Sequence, residues 1–144
     1  MREIFIDTNI LIDFVTEKEP FATYSKGMFS VAENKNIVMN VCALSFNNVY
    51  FTVKKRLGRG KAKTSIKQFL DITKCLPVDN IVINQAIASQ FRDFEDAIQY
   101  YCALQIPQCE AIITRNIKDF KLNAIPVMYP EAFWVNEVNI TPYI

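Results

Sequence analysis

No two of the short β-rich runs in this sequence are joined by a tight-turn dipeptide such as Asn-Gly or Asp-Gly. The first two are each followed instead by a stretch with the periodicity of a helix. Glu3 to Ile6 predicts a strand that ends abruptly in Asp7-Thr8-Asn9, with a short helix over Ile10 to Val15. Phe21, Tyr24, Met28, Phe29 and Ala32 recur at three- and four-residue steps and predict a helix over 21–33, followed by a second strand at Ile37 to Met39. Ala43 to Leu57 places Leu44, Asn48, Phe51 and Lys55 on one helical face and stops at Gly58-Arg59-Gly60. Further helices are expected over 61–72, 80–91 and 94–104, and strands over 111–114 and 125–128. Strands that alternate with helices need crossover connections. The expected fold is therefore α/β, one domain over residues 1–144 with a parallel sheet covered on both faces.

Composition removes several classes of chemistry. His is absent, and Cys42, Cys75, Cys102 and Cys109 form no CxxC pair, so the usual zinc sites and every His-based triad or general base are excluded. The cysteines read as reduced packing residues. A formal net charge of +1 favours no particular partner. Glu3 and Asp7 interrupt the N-terminal segment too early for a signal peptide, and no apolar run approaches the ~18 residues of a membrane span. The expected setting is the cytoplasm, away from membranes.

What remains is carboxylate chemistry. Ligands of open parallel sheets bind outside the carboxyl ends of the strands. Asp7 ends the first predicted strand, and Asn116 and Asp119 follow the 111–114 strand. Asp96 lies near the start of a predicted helix, three residues after Asp93 and so on the same face. Crowded carboxylates repel one another unless a cation neutralises them, and hard oxygen donors without His or Cys point to Mg²⁺ or Mn²⁺. Such an ion can activate water and stabilise charge on a phosphate, which replaces the missing general base. The competing reading is that Asp7 and Asp96 only cap helix N-termini.

Three segments carry a resemblance. Phe5-Ile6-Asp7-Thr8-Asn9-Ile10-Leu11-Ile12-Asp13, Asp93-Phe94-Glu95-Asp96-Ala97 and Ile113-Thr114-Arg115-Asn116-Ile117-Lys118-Asp119-Phe120 occur in the order found in PIN domains, and the chain resembles VapC-like bacterial toxins over nearly its whole length, from Ile4 to about Phe133. The resemblance implies a three-layer α/β/α sandwich and Mg²⁺- or Mn²⁺-dependent endoribonuclease activity. It also implies an antitoxin partner and a homodimer. By motif, Asp7, Asp96 and Asp119 match catalytic acids, joined as metal ligands by Asn116 and Asp93, while Thr8, Asn9, Asn48 and Thr114 match supporting positions.

One position departs from the family. Its second acid, usually Glu three residues after a Ser or Thr, corresponds to Asn48 after Ser45, and an amide brings an oxygen without a charge. The site is then a weaker metal binder, one in which Asp93 compensates, or a degenerate domain that binds RNA or protein without cutting. Lys54, Lys55, Arg56, Arg59, Lys61, Lys63 and Lys67 crowd seven of the sixteen basic residues into fourteen positions free of acid, a segment suited to a phosphate backbone or to an ordinary solvated face. Tyr50 and Phe51 just upstream can stack on bases, though such residues are more often core. A haloacid-dehalogenase-type phosphatase would need an acid at Asn9. A dinucleotide fold would need glycines after the first strand, where there are none.

Overall fold

A computed structural model describes residues 1–120 and 124–140. Its elements run β1 (Glu3–Ile6), α1 (Thr8–Thr16), α2 (Phe21–Asn34), β2 (Val38–Cys42), α3 (Ala43–Leu57), α4 (Arg59–Ile72), β3 (Lys74–Leu76), α5 (Asn80–Ala88), α6 (Phe94–Ala103), β4 (Cys109–Ile113), a 3-10 turn (Ile117–Phe120), β5 (Val127–Met128) and α7 (Pro130–Ile140). All four strand pairings are parallel and the order is β3-β2-β1-β4-β5.

Successive strand residues point to opposite faces, which divides the core in two. Ile4, Ile6, Met39, Val41, Ala111 and Ile113 pack with side chains of α1, α2, α3, α4 and α7, whereas Phe5, Cys42 and Ile112 pack with α5, α6 and Phe120. The fold is thus the expected three-layer α/β/α sandwich. Because β1 sits between β2 and β4, the chain crosses in opposite directions from its two sides. That reversal opens a crevice at the carboxyl ends of β1 and β4.

Several boundaries differ from the sequence expectation, each for a local reason. The first helix begins at Thr8 rather than Ile10, directly after the extended Asp7. Of the two glycines expected to break the chain after Leu57, only Gly58 does so: it has φ 90° and ψ 166°, a region open essentially to glycine alone, whereas Gly60 lies inside α4. The edge strand β3 is three residues with two exposed side chains, too short to show alternation. Cys42 and Cys102 place their thiols 3.4 Å apart in the core, but Cys75 on β3 is exposed and does not pack as a core residue.

Helix α7 was not foreseen because its inward face is partly ionic. Phe133 and Glu137 are buried while Val135 and Val138 face solvent, and Glu137 is held by Arg2 at 2.8 Å and by Lys35 at 3.3 Å. Against α2 it packs so closely that a Cβ at Gly27 would stand 2.3 Å from the Trp134 ring. Gly27→Ala is therefore expected to cost about 1–3 kcal/mol by overpacking. Denaturant melts of Gly27→Ala, Trp134→Leu and the double variant check this. If the two costs simply add, the indole does not set the helix spacing.

Candidate active site at the carboxyl ends of β1 and β4

The register Ile6↔Ile113 brings Asp7 beside Thr114, and the Asp7 N–H continues the ladder to the Ile113 carbonyl at 3.0 Å. Asp7 has the extended backbone of an N-cap, yet its carboxylate makes no capping bond. It accepts instead from the Thr114 hydroxyl at 2.7 Å. The side chain is 3% exposed. Burial raises its pKa above the ordinary carboxylate range, the Thr114 bond opposes that rise, and the nearby charge of Glu95 adds to it.

Thr8 ties three helices to this edge. Its N–H donates to Gln99 Oε1 at 3.1 Å, and its hydroxyl lies 2.6 Å from Ser45 Oγ and 3.3 Å from both Glu95 Oε1 and Gln99 Oε1. One hydroxyl carries one proton, so Ser45 is the natural donor to Thr8, leaving the Thr8 proton for the acceptors on α6. Thr8, Ser45 and Gln99 are all buried. Asn48 follows Ser45 by one turn on α3 and is half-buried, and Asn9 is half-buried in the first turn of α1.

At the start of α6, Asp93 is the cap: its Oδ1 accepts from the Asp96 N–H at 2.9 Å. Asp96, in the first turn, is thereby free of a capping role. Its pKa is pushed up to about 7, first by burial and then by the charges of Asp93, Asp7, Asp119 and Glu95. Asp93, Asp96 and Asp119 line a cleft of about 510 Å³ together with Gln90, Phe91, Arg92 and Lys118; Asp7 is not among its lining residues. Asn116 is exposed, with its N–H on Thr114 Oγ1 at 3.0 Å and its carbonyl accepting from the Asp119 N–H at 3.0 Å. Thr114 therefore couples Asp7 to the loop that carries Asn116 and Asp119.

Five carboxylates thus share one electrostatic neighbourhood. They do not form a closed coordination shell, because among the described residues no three acids or cysteines stand close enough to share one ion. The sequence reading named Asp7, Asp93, Asp96 and Asp119 but gave Glu95 and Gln99 no role. They are four apart on α6 and so share a face, and a Gln fixed among apolar helix residues was the available signal.

A second polar tie lies alongside. Asp13 on α1 is buried against Arg115, which directly precedes Asn116, at 2.9 Å. The angle is poor, so neither Asp13 oxygen nor Arg115 Nε has a hydrogen bond, and the guanidinium stacks 4.4 Å from the Phe21 ring centroid. Burial raises the Asp13 pKa, opposed by Arg115, Lys18 and Arg56.

Lys54, Lys55, Arg56, Arg59, Lys61, Lys63 and Lys67 are all exposed on the α3–α4 hairpin. At 1.5 Å per residue, Lys55 lies roughly 15 Å along α3 from Ser45. Tyr50 packs against the core, but Phe51 is 59% exposed and borders a depression with Thr52, Lys55 and Arg56, contrary to a core role.

With this geometry, comparison with known proteins is informative. The family model described as PIN domain matches residues 3–118. No curated protein matches the chain. Among solved structures, DNA-bound VapBC from Salmonella typhimurium is similar at TM-score 0.66 and 16% identity, covering 90% of this chain and 99% of that one. A toxin-antitoxin complex from Klebsiella pneumoniae gives 0.64 and 22%, covering 88% and 97%. The sarcin-ricin loop cleaving toxin VapC20 of Mycobacterium tuberculosis gives 0.62 and 15%, covering 76% and 86%.

The electrostatics generate a pH prediction for the metal-free protein. The folded pKa of Asp96 lies above the ~3.9 of an unfolded Asp, so its stabilising contribution is whole below about pH 4 and is lost as pH rises through about 7. Melting temperature in chelator is expected to fall over that window, and Asp96→Asn to flatten the fall. Equal pH slopes for the two proteins would contradict the assignment.

Proposed function

The chain belongs to the PIN-domain family, and from that premise we propose that it is a Mg²⁺- or Mn²⁺-dependent endoribonuclease, acting as one domain and as the toxin of a toxin-antitoxin pair in the cytoplasm. The observation that carries this reading is the gathering of Asp7, Asp93, Glu95, Asp96 and Asp119 where β1 and β4 end. The donor set suits a hard dication: it is wholly oxygen, and Asp96, whose pKa is raised first by burial, is raised further by the charges of Asp93, Asp7, Asp119 and Glu95. Among the described residues no helix is long and apolar enough to cross a membrane.

Asp7, Asp96 and Asp119 would hold the ion, with Asn116 offering a carbonyl oxygen and Asp93 adding charge, once binding draws together acids that stand too far apart to share it in the chain alone. Once bound, the ion supplies Lewis acidity that activates water and offsets charge on the scissile phosphate. Thr114 fixes the Asp7 carboxylate and the loop after β4 together. Thr8 and Gln99 hold α1 against α6, which keeps the acids in register. Lys118 and Arg92 in the cleft, and the basic α3–α4 hairpin beyond it, meet the RNA phosphates. The complexes among the structural neighbours support an antitoxin partner, and the proposal extends to a homodimer. Asn48 favours one competing reading, a degenerate domain that binds RNA or protein without cleavage.

Cleavage of RNA is expected with millimolar Mn²⁺ and not in chelator, and Asp7→Asn should lower it by about 100-fold or more. RNA bound but never cut, with or without Mn²⁺, would select the degenerate reading. For the basic hairpin, replacing Lys54, Lys55 and Arg59 by Gln should weaken RNA binding and reduce the slope of log K against log salt by about 2. An unchanged slope in a salt titration would return those residues to a solvated face.

A further inference from the structure

Helix α3 carries three aromatic residues, and the core takes two of them. Phe46 and Tyr50 pack against it, whereas Phe51 is exposed. A lone apolar ring is ordinary on a protein surface. This one borders an open depression of about 510 Å³ whose other lining residues are Thr52, Lys55 and Arg56. Asn48, Phe51, Thr52, Lys55 and Arg56 are spaced so that they share one stripe of the helix, which starts a turn after Ser45 at the strand edge and runs outward. At 1.5 Å per residue, Phe51 lies roughly 9 Å along α3 from Ser45. Tyr50 meets the Phe51 ring at 5.8 Å between centroids and 85° between planes, so the ring is braced and its freedom already reduced. Lys55 and Arg56 are exposed and stand in no ion pair among the described residues, although the charge of Arg56 reaches Asp13. The acidic cleft shows the same pairing of one ring, Phe91, with two bases, Arg92 and Lys118, beside its carboxylates. The depression on α3 has the ring and the bases without the acids.

Resting on the ribonuclease reading above, we propose that Phe51, Lys55 and Arg56 form a second RNA-binding station outside the acidic cleft, where one base stacks on the Phe51 ring while Lys55 and Arg56 hold the flanking phosphates. Every nucleobase has a π face that a ring can cover, and the backbone beside it carries the negative charge that two unpaired cations attract. The Thr52 hydroxyl can donate to or accept from a base edge or a ribose 2′-hydroxyl. An acidic peptide answers the two bases but not the ring, whereas a nucleotide answers both. A duplex keeps its base faces inside its own stack, so the station engages an unpaired segment. The stripe leads back to Ser45, whose hydroxyl contacts Thr8 beside Asp7, so a strand held at Phe51 is directed toward the acids.

The test measures binding of a short single-stranded RNA to the intact chain in EDTA across a salt titration. It compares wild type with Phe51→Leu, Phe51→Ala, Phe51→Trp and the double variant Lys55→Gln/Arg56→Gln. Because the ring is exposed, these changes leave the core intact. Phe51→Leu and Phe51→Ala are expected to weaken binding by about fivefold or more at every salt concentration, with the salt slope unchanged, and Phe51→Trp to bind at least as tightly as wild type. The double variant should reduce the slope of log K against log salt by roughly 1.4. The same RNA carrying 5-iodouridine should photocrosslink to Phe51 in wild type and not to position 51 in Phe51→Leu. Affinity of Phe51→Ala equal to wild type, with no crosslink at Phe51, overturns the station; a weakened Lys55→Gln/Arg56→Gln variant in that assay leaves the RNA reading itself standing. If wild type binds no RNA with or without Mn²⁺, the ribonuclease reading fails and the station with it. If Phe51→Ala sediments as a smaller species than wild type while its RNA binding is unchanged, a second copy of the chain covers the ring and the station is likewise overturned.

Discussion

The burial of Asp7 is the constraint on which the rest of this edge depends. A carboxylate at 3% exposure is costly to leave without partners, and the parallel register of β1 with β4 meets that cost by delivering the Thr114 hydroxyl to it. Thr114 then organises the loop after β4 through Asn116. Thr8, one residue on, collects α3 and α6 through Ser45, Glu95 and Gln99. Few residues are involved, and they come from the ends of β1 and β4 and from α1, α3 and α6. The site is consequently a property of how the layers are stacked rather than of any one loop.

Charge is used in two opposite ways in this fold. Inside, single acids are matched by bases from distant segments: Asp13 by Arg115, and Glu137 by Arg2 and Lys35. Those contacts fix α1 to the loop after β4, and α7 to the rest of the domain, and removal of Arg115 would take the nearest base from the buried Asp13. At the strand edge, acids outnumber the bases beside them, and Asp96 is held far from its ordinary ionisation first by burial and then by the charges of Asp93, Asp7, Asp119 and Glu95. Negative charge gathered in this way is a standing cost in the folded chain, and under the proposed function it would favour a hard cation. The basic α3–α4 hairpin, bent at a Gly58 whose backbone conformation other residues rarely adopt, carries the opposite charge away from the acids instead of cancelling it.

Much of this was legible in the sequence. The parallel sheet followed from strands alternating with helices, and the acids at positions 7, 96 and 119 from strand ends and motif spacing. Other features resisted for identifiable reasons. Helix α7 hides its inward face behind Glu137, so its apolar pattern misleads. Strand β3 is too short for periodicity to register. Glu95 sits beside a recognisable acid, and nothing in a linear motif distinguishes a carboxylate that faces solvent from one that reaches a hydroxyl on another helix.

By itself, the sequence determined the layer architecture, the acids and amides that follow the strands and the lack of any imidazole, because these depend on local periodicity and residue type. Only the tertiary structure decided which carboxylates are neighbours, that Asp93 caps α6 and leaves the Asp96 side chain free of that role, and that Thr8 links α1, α3 and α6. The physical reason is range: backbone periodicity acts over a few residues, whereas hydrogen bonding and charge repulsion act through space between segments up to about a hundred positions apart, which only the folded register brings together.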